Sequence, residues 1–276
     1  MKKYLFMAVA GMLALSSCSN DSDELVINET PHEMTFTAGY GDATRAAISG
    51  TSVTWETGDR IKVFSTKNST GNNFSLSTGA GTNSATFTGI AVDDSKFYAA
   101  YPAAGTSLDG TTIKGLRIER DQYNMDAWQS RDTEDTSGLD KYSTFAVAVA
   151  DAGEALQFKS ICAILKVKLI PGRWGCGDVT VKVQADEDMA DRFDYNTATG
   201  TITCDKTGIN YNYVQAQQVN VEGGSRTLYL KILPGTYTNF NLSVTGMMDT
   251  FANKTKTSVT FEAGKVYDLG SYDVDE

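Results

Sequence analysis

Leu165, Val167 and Leu169 alternate with Lys166 and Lys168, and the run stops at Pro171-Gly172. A period of two is the pattern of a strand with one buried face. The same rhythm recurs at Ile61 and Val63, at Phe145, Val147 and Val149, at Val179, Val181 and Val183, and at Leu228, Leu230 and Ile232. Clusters of Gly, Ser, Thr and Asn separate these runs, as turn chemistry requires. Strands are expected at Met34–Ala38, Arg60–Thr66, Asn73–Ser77, Ser84–Thr88 and Phe97–Tyr101. After Ser143 they resume, ending with Phe240–Thr245, Thr257–Phe261 and Val266–Leu269. No apolar stripe of helical period persists, and Pro171 and Pro234 lie at strand ends, where a missing donor does least harm. About fifteen short strands with regular turns predict an all-β fold, an antiparallel sandwich or barrel, and the lack of βαβ alternation argues against a parallel sheet.

A break at Ala152-Gly153-Glu154 divides the chain into comparable parts, which predicts two β-sandwich domains in tandem, 46–154 and 155–276. Within the first, Val53-Thr54-Trp55 reads as a strand, and Trp55-Glu56-Thr57-Gly58-Asp59 as a hairpin turn leading to Arg60. Residues 103–141 read as an irregular excursion, the kind of segment that is functional or disordered. Tyr123, Trp128 and Tyr142 around it would form either a contact surface for a sugar or protein, or packing. Phe97, Tyr98 and Tyr101 are expected in a strand core.

The N-terminus is an address rather than part of the fold. Lys2 and Lys3 precede an apolar run, Tyr4–Leu15, too short to span a bilayer. Leu15-Ser16-Ser17-Cys18 then resembles a bacterial lipoprotein signal. That resemblance implies a signal peptide at 1–17, cleavage between Ser17 and Cys18, and acylation of Cys18, which would anchor the chain in the outer membrane. The acidic SNDSDE after Cys18 resembles the surface-export signal of Bacteroidota lipoproteins. Residues 18–45 are expected to form a tether with a strand at its end.

Charge narrows the partners. The net charge is −10 and the pI about 4.7, the wrong sign for nucleic acid, whose binding rests on neutralising phosphates. The single histidine, His32, lies in the tether, so no Ser-His-Asp arrangement is expected. No phosphate-binding glycine loop precedes a helix. Catalytic residues and cofactors are therefore expected to be none. Asp186-Glu187-Asp188 with Asp191 match no calcium-loop spacing and read as a solvated cluster, so no metal is expected either. Cys162 lies in an apolar run and reads as a small buried residue. Should the envelope oxidise one pair, Cys176–Cys204 is the expected bridge.

The stretch Met34–Phe64 links these themes. Arg45 is the only Lys or Arg between Lys3 and Arg60, and it sits among Gly, Asp, Ala and Thr, residues of exposed, protease-accessible loops. A cut between Arg45 and Ala46 would separate the strand Met34–Ala38 from the body. Met34 and Phe36 would point to one face of that strand.

Several segments taken together resemble the fimbrillin family of Bacteroidota. They are the signal ending at Cys18, the early MTFTA strand, Thr44-Arg45-Ala46, and the run from Val53 through Trp55-Glu56-Thr57-Gly58-Asp59 to Val63. Farther along come Leu156-Gln157-Phe158 with Ile164-Leu165-Lys166-Val167, then Leu233-Pro234-Gly235-Thr236-Tyr237, then Phe261-Glu262-Ala263-Gly264-Lys265-Val266-Tyr267. The resemblance implies two tandem transthyretin-like antiparallel β-sandwich domains and a pilus subunit made as an outer-membrane lipoprotein precursor. It implies cleavage after Arg45, loss of the strand carrying Met34 and Phe36, and filling of the vacated groove by a neighbouring subunit, with the product on the cell surface as a fimbrium. Partners would be other fimbrial subunits, in a homo- or hetero-polymer, and a host or bacterial receptor. Val259, Phe261, Val266 and Leu269 are the candidate donor residues. Because little chain follows Leu269, donation would pull out a native Val259–Leu269 hairpin, and a tip or anchoring role stays open beside a stalk role. A monomeric surface lipoprotein that binds a glycan or host ligand is the alternative.

Overall fold

The computed structural model describes residues 30–40, 54–122, 145–172, 178–205, 211–221, 224–247 and 249–274. Every regular element among them is a strand. In chain order the first nine are β1 (His32–Tyr40), β2 (Arg60–Ser65), β3 (Asn72–Thr78), β4 (Ser84–Ala91), β5 (Lys96–Tyr101), β6 (Ser107–Asp109), β7 (Thr112–Ile118), β8 (Ala146–Asp151) and β9 (Leu156–Ser160). They are followed by β10 (Ala163–Pro171), β11 (Asp178–Gln184), β12 (Asp191–Asn196), β13 (Ile202–Cys204), β14 (Tyr213–Asn220), β15 (Arg226–Ile232), β16 (Gly235–Thr245), β17 (Thr250–Phe261) and β18 (Val266–Val274).

Seven strands close into a barrel-like sheet in the order β1-β4-β3-β2-β5-β8-β9. The remaining strands form three smaller sheets, β15-β10-β18, β14-β11-β16-β17 and β13-β12-β7-β6. The fold is therefore all-β, and of the expected sandwich or barrel architectures its largest sheet takes the barrel-like form. Most pairings are antiparallel, but β1 runs parallel to β9 and β10 parallel to β18. Parallel neighbours need long crossovers, and both pairs join segments far apart in the chain. An alternation pattern reveals which face is buried, not which neighbour is adopted, so these pairings were not foreseen.

One core fills the closed sheet, with Phe36, Trp55, Phe74, Phe87, Phe97, Phe158 and Tyr101 among its members. A second core joins the smaller sheets to the opposite face of the first, through Phe64, Tyr98 and Val147. That explains the unbroken burial of Phe97 through Tyr101, since a strand covered on both faces loses its alternation. The expected division at 154/155 falls inside the turn joining β8 to β9, and Leu156–Ser160 completes the first sheet.

Two local expectations are corrected. Trp55 is not in a strand. Its N–H donates to Thr82 O at 2.8 Å and its carbonyl accepts from Gly81 N at 2.7 Å, so it docks on the turn between β3 and β4. The following turn does form, with Gly58 at φ 94° and Asp59 Oδ2 accepting from Glu56 N at 2.7 Å. The excursion at 103–141 also holds regular structure within its described part, residues 103–122. β6 and β7 make a hairpin across Gly110, which has φ 58°, and β7 pairs with β12. Asp109-Gly110 is a hairpin signal, obscured in the sequence by the brevity of β6.

Trp55 is fully buried and contacts four aromatic rings. Trp55→Ala should destabilise the chain by about 3–5 kcal/mol. Ile90→Ala, at a position 49% exposed, should change it by less than about 0.5 kcal/mol. Urea unfolding followed by circular dichroism measures both.

Candidate functional site

β1 pairs with β4 on one side and β9 on the other, and its pairing with β9 closes the first sheet. Its even-numbered residues face inward. Phe36, Ala38 and Tyr40 are buried and Met34 is half-buried, whereas Glu33, Thr35 and Thr37 are exposed. Phe36 meets Phe97 at 4.9 Å and Phe74 at 5.2 Å between ring centroids, both edge-on. Tyr40 stacks on Trp55 at 4.7 Å and meets Phe158 at 6.2 Å. Gly89 lies opposite Met34, where a Cβ would come within 2.7 Å of the Phe74 ring.

The two edges of β1 are held unequally. On one side His32 through Gly39 registers with β4 from Ala91 back to Ser84. On the other, only Ala38, Gly39 and Tyr40 register with Leu156, Gln157 and Phe158 of β9. Toward the start of β1 the turn at 152–155 departs from it. A cleft of about 510 Å3 opens there, lined by Met34–Thr37, Asp93–Ser95, Phe97 and 152–155. His32 Nε2 lies 3.4 Å from Asp93 Oδ1 at this end.

Asp94 fixes the wall of the cleft. Burial opposes ionisation of its carboxyl, but hydrogen bonds outweigh it and hold the group below its ordinary value. Thr66 Oγ1 donates at 2.5 Å, Lys67 N at 3.1 Å and Ser95 N at 2.7 Å.

Met34 and Phe36 thus lie on one inward face as expected. Sequence reasoning missed Tyr40, a further buried anchor, by ending the strand before Gly39, although Tyr40 keeps the same parity. The candidate donor residues separate into two sheets. Val259 and Phe261 belong to β17, which pairs with β16, while Val266 and Leu269 belong to β18, which pairs with β10. The expected Val259–Leu269 hairpin is therefore not a ladder. Phe261 is buried among Tyr237, Phe240 and Tyr267. Ser17, Cys18, Arg45, Ala46, Tyr123, Trp128, Tyr142 and Cys176 lie outside the described residues, and with them the cleavage, lipidation and disulfide expectations.

The acidic cluster is structural. Glu187 accepts from Thr238 N and from Thr238 Oγ1, each at 2.7 Å, and Asp186 accepts from Asn239 Nδ2 at 2.7 Å. These bonds hold Asn239 at φ 52° and, led by the Thr238 N–H, lower the Glu187 pKa. Among the described residues no group of three His, Cys, Asp or Glu side chains is placed to hold a metal. Cys162 is fully buried, and burial pushes its thiol pKa up.

The fimbrillin-like family model matches residues 44–270, most of the chain, and the chain belongs to that family. Among solved structures, a candidate cell adhesion protein from Bacteroides ovatus is 15% identical with a TM-score of 0.52, covering 90% of this chain and 92% of that one. Another from Bacteroides uniformis is also 15% identical with a TM-score of 0.52, covering 88% and 93%. At such identity the likeness is one of fold. No curated protein matches the sequence.

Asp94 yields a pH-dependent expectation. Its folded pKa lies below the unfolded 3.8, so its contribution is complete above that value and lost as pH falls through the folded pKa. Asp94→Ala should cost about 1–3 kcal/mol at neutral pH. The gap from the parent should close below about pH 3.8, as read by urea unfolding across pH.

Proposed function

We propose that this protein is a structural pilus subunit that is made as a lipoprotein, cut after Arg45 and polymerised by β-strand exchange in support of adhesion. Membership of the fimbrillin-like family supports a pilus-subunit type of function, at the cell surface and in association with other fimbrial subunits. In this reading the chain comprises two tandem transthyretin-like sandwich domains, 46–154 and 155–276. Acylated Cys18 holds the precursor in the outer membrane. No catalytic residue, metal or cofactor takes part.

The observation that carries the exchange is β1 itself. It lies between β4 and β9 and sends Phe36, Ala38 and Tyr40 into an aromatic core. Its loss would expose the β4 edge along its whole length and uncover Phe74, Phe97, Trp55 and Phe158. An extended strand with apolar residues at alternate positions satisfies both needs at once, through ladder bonds and pockets. Each buried anchor of Phe or Val size contributes roughly 1.5–3 kcal/mol.

The integration of Phe261 and the separation of β17 from β18 favour a second reading. A donor strand drawn from this segment would cost two sheets their edges and one core its aromatic centre. A tip or anchoring subunit, which accepts a strand without donating one, avoids that cost.

Mass spectrometry of the surface protein should find an N-terminus at Ala46. Arg45→Ala should abolish both that cut and any detergent-resistant ladder. Ladders that persist unchanged in Arg45→Ala would sink the exchange reading. A chain that stays acylated at Cys18 and monomeric would favour the ligand-binding lipoprotein instead.

A further inference from the structure

The grip on β1 is asymmetric, and the asymmetry runs opposite to the proposed cut. At the end nearest the cut, Ala38 and Gly39 pair on both edges and Tyr40 pairs with β9. The same end carries Ala38 at 0% exposure and Tyr40, which stacks on Trp55 and is as buried as Phe36. At the far end, Met34 is only half-buried, the second edge borders the cleft, and the His32–Asp93 contact is partly exposed. Severing the chain after β1 frees a terminus at the best-held end. Fraying starts where pairing and burial are weakest, which is at His32, on the side that leads back to Cys18.

We propose that β1 stays bound after the chain behind it is cut, so that cleavage primes the groove and only displacement by a second strand opens it. This rests on the strand-exchange reading and adds its control step. The displacing partner is an extended segment of another fimbrial subunit that repeats the inward order of Phe36, Ala38 and Tyr40, large, small, large. It engages first beside Met34–Thr37, where the cleft leaves space for a chain. Until that exchange a cut subunit is still tied to the lipid through the β1 peptide, so release from the membrane and addition to a polymer become one event. Premature exposure of the aromatic core, an aggregation hazard for any opened sheet, is avoided.

The test uses the full chain with a site-specific protease sequence substituted at 42–48, so that cleavage does not depend on the natural protease. After complete cutting, gel filtration under native conditions should find the leading fragment co-eluting with the body and separating only in denaturant. A labelled synthetic peptide of residues 30–42 in excess should then replace it slowly. Tyr40→Ala should speed that replacement at least about tenfold more than Met34→Ala, because a fully packed ring is lost rather than a half-buried side chain. Should Tyr40→Ala fail to fold, hydrogen exchange on the cut parent serves instead, with amides of Ala38–Tyr40 protected about tenfold longer than those of His32–Thr35. A fragment that elutes alone as soon as it is cut overturns the proposal, as does equal protection along β1. Either result leaves the natural cut at Arg45 standing, whereas an uncut Arg45 in the surface protein overturns the exchange reading and leaves the grip on β1 intact.

Discussion

The stack of Tyr40 on Trp55, 4.7 Å between ring centroids, joins the first strand to the turn that precedes the second. Phe87, Tyr101 and Phe158 close around the same indole. Those rings come from β4, β5 and β9, so one side chain outside any strand ties together much of the closed sheet. Aromatic pairs add about 0.5–1.5 kcal/mol each beyond area burial, and here several share one centre. The cluster gives β1 its hold and gives the seam with β9 its strongest point.

The two halves of the chain are interlocked rather than merely adjacent. The β6–β7 hairpin leaves the first sheet and pairs with β12 and, through it, β13. The segment beyond it then reaches two further sheets. Gln122 N donates to Gln215 O at 2.8 Å, and Gln215 N donates to Arg120 O at 2.8 Å, on the edge of β14. The Gln122 side chain donates to Lys231 O and accepts from Lys231 N, each at 2.7 Å, acting as a backbone amide on the edge of β15. Relative movement of the halves would break these bonds together.

Exposed strand edges invite unwanted pairing, and the fold treats its edges differently. Gln122 covers β15. Lys254 and Lys256 on β17 register with Leu242 and Phe240 and so share their inward face. Lys254 lies 4.6 Å from the Tyr272 ring centroid. Both lysines are exposed, and charges at such an edge discourage a second sheet from docking there. Beside Met34–Thr37, by contrast, the second edge of β1 borders a cleft whose lining mixes Met34, Phe36 and Phe97 with Asp93, Asp94 and Glu154. The edge left accessible is that of the strand which exchange would displace.

The sequence by itself determined that the chain is all-β, that Met34 and Phe36 share one face, that a basic residue follows the first strand, and that Cys162 is buried. Each follows from a local cause, the period of two or the company a residue keeps. Tertiary structure decided the rest. Alternation cannot show that β1 runs parallel to β9, that Trp55 leaves its expected strand to dock on a turn, or that Val259 and Val266 join different sheets. Those outcomes depend on partners distant in the chain, whose identity is set by which cores can be filled together. The seam at β1 belongs to that second class. A strand of ordinary sequence becomes a distinctive site because one of its edges is paired for nearly its full length and the other only at its end.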